Sequence, residues 1–319
     1  LYEASSAVAQ TAGASSAPAA AEEVALLRQI RKDLPRMELR GFPPSLAAAL
    51  QAQNSTESEP SKALPELLER VLFIWAVRQP ASGYVQGLNE VLLPLVLVFL
   101  AERLRKPVEL LNTEDLSSPN PELLGEVEAD CYWCMSKILS EIFDHYTQDQ
   151  PGIQRMARRL KEVLRRIDEP LALHLQVQAD EQGIDHLQAA AYQWVTCLMV
   201  RELPLLRCLR LWDTLIAESA LSAERHSGGQ GASGMVGGGV ASAGFEAFLV
   251  YFCACLLAFY SGRLQVMELE ESTAFLKQLP TGSLSEADME VLLAESYVLH
   301  SLFHCAPHHL GADAGARPS

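Results

Sequence analysis

Residues 61–83 read SKALPELLERVLFIWAVRQPASG, and this stretch decides the fold class. Leu64, Leu67, Leu68, Val71, Leu72 and Trp75 fall at offsets 0, 3, 4, 7, 8 and 11. That spacing lays one apolar stripe along a helix of 3.6 residues per turn. Ser61 stands where it can cap the first turn, and Pro80–Gly83 brings residues that cannot continue the hydrogen-bond ladder. The same period recurs on both sides. One helix approaches from Glu22 and must stop near Pro35, because a residue before proline is pushed out of the α region. Another covers Leu88–Arg103, and more are expected near 128–147, 151–167, 169–180, 184–201, 204–218, 245–260, 264–277 and 285–302. Strand-like alternation is nearly absent and no fixed period repeats, so the expectation is an all-α, multi-helix protein and not a solenoid.

Composition removes several function classes. The chain has 319 residues, with 25 Lys and Arg against 40 Asp and Glu, a net charge of −15. Binding nucleic acid requires a clustered cationic face, and the field of this molecule points the other way. The most apolar stretches, 91–100 and 247–259, fall short of the roughly 20 residues that a spanning helix needs, so no transmembrane segment is expected. No basic run followed by an apolar stretch marks a signal peptide, and a first residue Leu1 in place of Met reads as a fragment. Seven cysteines sit mostly within apolar helical patterns, as free thiols do in a cytoplasmic protein. Cys131–Cys134 and Cys253–Cys255 are spaced like metal ligands, but metal knuckles want turn residues, so no metal site is assigned. Residues 1–21 are a low-complexity Ala/Ser-rich segment, 22–303 the folded region, and 304–319 a disordered tail. The folded region carries an irregular loop at 102–128 and a Gly-rich insert at 219–244.

In an all-α protein the chemistry is sought at helix ends. Arg36 follows Pro35 on the loop after the helix from Glu22, free to project. Gln86 lies in Gly83-Tyr-Val-Gln-Gly87, where two glycines permit a tight turn at a helix entry, a place that favours anions. Alone, each is an ordinary loop residue. Together, RQIRKDLPR at 28–36 and YVQ at 84–86 resemble the I-x-x-D-x-x-R and Y-x-Q motifs of the TBC domain of Rab GTPase-activating proteins. Ile30, Asp33 and Arg36 fill the three fixed positions of the first motif. The likeness continues in order through FIWAVRQPASGYVQGLNE, ADCYWC, HYTQDQPGIQRM, RRIDEP, MVRELP and RLWDTLIAE, and so covers about 22–280. It is most similar to the yeast-type subgroup associated with the Golgi.

This resemblance implies two helical lobes and a dual-finger mechanism acting on a GTP-bound Rab-family small GTPase. Arg36 would stabilise the transition-state phosphate charge, and Gln86 would orient the attacking water. GTP and Mg²⁺ would belong to the partner, so the chain needs no cofactor of its own and is no GTPase itself. Supporting roles fall to Ile30, Asp33, Tyr84 and Gly87. Asp33 would fix the finger loop by accepting hydrogen bonds or pairing with an arginine, and Tyr84 would hold Gln86. Arg201, Glu202, Arg210, Trp212 and Asp213 read as an ion-pair and packing cluster behind the site. Two basic segments stand out, 28–40 at +3 and 155–166 at +5. The second reads first as a solvated helix face. An acidic GTPase surface or anionic lipid would also suit it. The subgroup resemblance implies a cytoplasmic protein in peripheral association with the Golgi or other endomembranes. Departures from the family pattern are a start after its R-x-x-x-W helix, Gln193 for an Arg and Glu90 for an Asp. A non-catalytic TBC-fold scaffold that only binds a Rab is the alternative.

Overall fold

The computed structural model describes residues 17–37, 42, 46, 63–112, 114–115, 120–183, 185–227 and 242–303. Every regular element among them is helical. In chain order these are α1 (Ala17–Asp33), α2 (Ala63–Arg78), α3 (Leu88–Leu104), α4 (Pro121–Glu141), α5 (Pro151–Ile167) and α6 (Glu169–Gln182). There follow α7 (His186–Thr196), α8 (Leu205–Ser227), α9 (Ser242–Phe259), α10 (Ser261–Leu264), α11 (Leu269–Lys277) and α12 (Glu286–Phe303). The chain divides into two compact units. One is Leu1–Ile153 with Gln193–Leu209, the other Gln154–Tyr192 with Arg210–Ser319.

In the first unit α2 is the keystone. All six residues of its apolar stripe are buried, and it packs against α1, α3 and α4. Burial of side chains this size stabilises by about 1.5–3 kcal/mol each. Helix α3 is apolar almost all round and buries a continuous run from Leu88 to Leu97, so it forms the floor on which the others sit. Its packing partners are α2 and α4. In the second unit the packed pair is α9 against α12, with Met289, Leu292 and Leu293 turned inward. Polar bonds complete this unit: Gln178 Nε2 donates to the Met267 carbonyl at 3.0 Å, and Ser272 Oγ donates to Gln178 Oε1 at 2.7 Å.

Several expected boundaries move. The loop placed at 102–128 ends at Asn120, whose side chain accepts from the Glu122 N–H at 3.0 Å and caps α4, with Pro121 in its first turn. The prolines that suggested irregular chain are in part a helix start, because proline at the first helical position gives up an N–H that has no partner anyway. The helix expected at 128–147 therefore begins seven residues earlier and stops at Glu141, and a 3₁₀ turn follows at Phe143–His145. Helix α8 runs through Ser219 to Ser227, into the segment assigned to the Gly-rich insert, because Ala, Leu, Glu and Arg continue there before the glycines begin. The helix expected at 184–201 stops at Thr196, and the chain turns through Leu198 (φ +48°) and Met199 (φ +65°). The helix expected at 264–277 is split at 265–268, where the freed Met267 carbonyl serves His174 and Gln178. Ser61, Arg40 and residues 304–319 lie outside the described residues.

Candidate functional site

Helix α1 buries Ile30 and Asp33 and leaves Arg28, Arg31 and Lys32 outward. Arg31 makes a two-point pair with Glu69 of α2 at 2.6 and 2.7 Å, which fixes the rotation of α1 on its neighbour. At Pro35 the α-helix gives way to a 3₁₀ turn, Leu34–Arg36, closed by Met37 N–H to the Leu34 carbonyl. Leu34 and Met37 are both buried. They pin the turn from either side and leave Arg36 between them exposed to solvent.

The second segment begins where α2 ends. Gly83 N–H bonds the Gln79 carbonyl at 2.8 Å and Gly83 takes φ +61°. The chain then runs to Gly87 at φ +110°, the N-cap of α3. Only glycine adopts that angle readily. A Cβ on Gly87 would stand 3.2 Å from both Cys197 Sγ and Thr196 Cγ2, so the close approach asks for glycine as well. Asn89 caps the turn by accepting the Gly87 N–H on Oδ1 at 3.1 Å. Gln86 is thereby held at a tight corner with its side chain exposed.

A polar contact joins the two segments. Tyr84 Oη lies 3.3 Å from Asp33 Oδ2 and 3.4 Å from Asn89 Oδ1, and Gln29 Nε2 donates to Asp33 Oδ2 at 2.9 Å. Asp33 precedes Arg36 by three residues and Tyr84 precedes Gln86 by two. The contact thus ties the arginine turn to the glutamine corner across 51 residues of chain. Burial, then the Asp33 carboxylate, push the Tyr84 hydroxyl far above its ordinary range, so it stays a donor.

The corner rests on a buried charged layer. Glu90, in the first turn of α3, takes a two-point pair from Arg201. Glu202 accepts Gln193 Nε2 at 2.6 Å. Burial raises the Glu202 carboxyl to about 7 against the opposing pull of Gln193 and Arg201. Burial likewise holds the Cys131, Cys197 and Cys208 thiols up, which keeps them protonated and weak nucleophiles.

The match that decides the family is to the Rab-GTPase-TBC domain, which covers residues 9–225. The chain belongs to that family. Among its relatives, this TBC domain is 38% identical over 244 residues to the GTPase-activating protein gyp1 of Schizosaccharomyces pombe, covering 76% of this chain and 42% of that protein. It is 38% identical over 283 residues to human TBC1 domain family member 22A, covering 88% and 46%. The chain therefore spans a little under half the length of these curated relatives. The crystal structure of the Ypt/Rab-GAP domain of Gyp1p superposes with a TM-score of 0.68 at 30% identity, covering 88% of this chain and 74% of that one.

Within this TBC domain the expected site residues fall in three places. Asp33 and Tyr84 are bonded to one another, Arg36 and Gln86 are exposed beside them in sequence, and Ile30 and Gly87 are buried supports. The expected ion-pair cluster does not share one set of partners. Arg201 and Glu202 lie beneath the glutamine corner, whereas Arg210 pairs with Glu290 in the second unit at 2.8 Å, on the surface. Trp212 is buried and Asp213 exposed. Five supports were missed. Gln29 had a signal, since it shares a helix face with Asp33 four residues on, and so had Asn89, an Asx residue two positions after a glycine at a helix start. The turn at Leu198–Met199 and the anchors Leu34 and Met37 carried none.

Proposed function

We propose that this TBC domain accelerates GTP hydrolysis by a Rab-family small GTPase, with Arg36 and Gln86 supplied in trans. The hydrogen bond from Tyr84 to Asp33 is the observation that carries the reading. It couples two short exposed segments that are remote in sequence and end in the two side-chain types that phosphoryl transfer needs. A guanidinium is planar and always charged, so it can meet phosphate oxygens at two points as charge builds in the transition state. A carboxamide offers both a donor and an acceptor, which suits it to aligning a water molecule. GTP and Mg²⁺ are the partner's, and the chain contributes electrostatics and position. The names of the relatives support GTPase activation as the outcome. The resemblance of this chain to the yeast-type, Golgi-associated subgroup supports action at the Golgi or other endomembranes.

Single-turnover GTP hydrolysis across a panel of GTP-loaded Rabs tests this reading. An arginine finger is worth on the order of 10³–10⁵ in rate. Arg36→Ala is expected to lose at least about 10³-fold, and Arg36→Lys nearly as much, because a point charge cannot make the fork. If Arg36→Ala and Gln86→Ala both stimulate like the wild type, the mechanism is wrong. Rab binding with no change in hydrolysis would establish the scaffold instead.

A further inference from the structure

Helix α5 carries six basic residues between 155 and 166. Two are neutralised within the second unit: Arg155 by Glu246 at 2.5 Å, and Lys161 by Asp185. The other four, Arg158, Arg159, Arg165 and Arg166, have no ion-pair partner among the described residues. Positions 158 and 165, and 159 and 166, recur at seven residues and form adjacent stripes on the helix. Glu162 is the one acid between them. In a chain of net charge −15, four unmatched guanidiniums on two neighbouring stripes are a local inversion of sign.

The basic face borders apolar surface. Arg159 and Arg166, with Glu162 between them, line a cleft of about 150 Å³ together with Val163, Val250, Tyr251 and Phe303. The Arg166 guanidinium carbon stands 5.9 Å from the centre of the Phe303 ring, so the end of α12 meets the end of α5 here. Along the outward side of α12, Val291, Ala294, Val298 and Leu302 fall at offsets 0, 3, 7 and 11, with the exposed Glu295 on the same face at offset 4. Val298 is 52% exposed and Leu302 59%. Past Glu295, helix α12 thus ends in an exposed apolar patch of Val298, Leu302 and Phe303, in addition to its buried face.

We propose that this face of the second unit docks on an anionic phospholipid surface. Arg158, Arg159, Arg165 and Arg166 would meet the headgroups, and Leu302 and Phe303 would enter the acyl boundary. A leaflet supplies an anionic plane and an apolar layer directly beneath it, which matches cations and aliphatic side chains lying side by side. Long arginine stems let the charge stay at headgroup level while neighbouring groups sink. An acidic protein surface would satisfy the arginines but leave the apolar patch unmatched. The proposal uses none of the residues assigned to GTP hydrolysis and stands or falls independently of that activity.

Vesicle flotation with the full chain tests it. Vesicles of phosphatidylcholine alone are compared with vesicles holding about 30% phosphatidylserine, at low and high salt. The wild type is expected on the anionic vesicles only and to be released by high salt. A cation near such a surface strengthens partitioning by about fivefold. Arg165→Glu with Arg166→Glu removes two attractions and adds two repulsions, so binding should fall by at least about 25-fold. Leu302→Ser should weaken binding while leaving its salt dependence unchanged. All three positions are exposed, and unchanged thermal melts would confirm that each variant folds. Equal binding to both vesicle types, or no binding, overturns the proposal. So does a charge-reversed pair that floats like the wild type. If that pair instead lowers Rab GTP hydrolysis in vesicle-free solution with flotation unchanged, the patch is a protein face and the lipid assignment is wrong.

Discussion

Gly87→Ala, measured beside Gly83→Ala, separates backbone freedom from close packing at the glutamine corner. Both glycines have positive φ, +61° at Gly83 and +110° at Gly87. The first is within the left-handed well near +57° that an alanine can occupy at about 1–2 kcal/mol, and no atom lies within 4 Å of the new methyl group. Loss of unfolded-state freedom returns about 0.4–1 kcal/mol, so the net cost is about 1 kcal/mol. Gly87 lies outside that well, where strain costs about 1–3 kcal/mol. Its methyl group would also press on Cys197 Sγ and Thr196 Cγ2 at 3.2 Å, an overpacking cost of about 1–3 kcal/mol. With the same unfolded-state return, the net is about 3 kcal/mol. Urea unfolding gives both numbers from the midpoint and slope. Relaxation of the strained φ moves the backbone next to Gln86, so stimulated GTP hydrolysis by Gly87→Ala should fall well beyond the fraction unfolded, and that of Gly83→Ala should not. If Gly87→Ala is no less stable than Gly83→Ala, or stimulates hydrolysis equally well, the seating of the corner against residues 196–197 is not what positions Gln86.

Three other outcomes follow from the same geometry. Tyr84→Phe keeps the ring and removes a long hydrogen bond to a carboxylate, so it should cost about 1 kcal/mol, or about fivefold in stimulated kcat/KM; no change would mean that Asp33 and Tyr84 do not align the fingers. Glu90→Gln takes the charge from the two-point partner of Arg201, which keeps Glu202 as a neighbouring acid, and should cost about 1.5–3 kcal/mol in urea unfolding; a loss under about 1 kcal/mol would show that the pair does not brace α3. The Glu202 carboxyl is raised by burial from its ordinary 4.5 to about 7, so its favourable contribution is complete below pH 4.5 and is lost as pH rises through 7. Between about pH 5 and about pH 8 the wild type should lose up to about 3 kcal/mol relative to Glu202→Gln, read from paired urea midpoints, and a gap independent of pH would contradict the burial argument.

The helices were legible because burial of one stripe imposes a period on the sequence, as at Leu64–Trp75. Arg36 and Gln86 were legible only as a pair of motifs, since neither a proline nor two glycines single out a side chain. What joins them was not legible. The Asp33–Tyr84 contact depends on how α1 is rotated on α2, which the Arg31–Glu69 pair helps to set and which no local pattern records. The turn at Leu198–Met199 was invisible for a different reason. Leucine and methionine are good helix formers, and they are held at positive φ by burial and by bonds such as Met199 N–H to the Trp194 carbonyl. Asn120-Pro121 was misread because one residue pair serves both loops and helix starts.

The Tyr84 hydroxyl has one hydrogen and two acceptors at nearly equal range, on Asp33 and on Asn89. At any instant it is given to the arginine turn or to its own loop, never wholly to both. A bound partner that fixes Arg36 and Gln86 would therefore also fix which of the two acceptors holds that hydrogen.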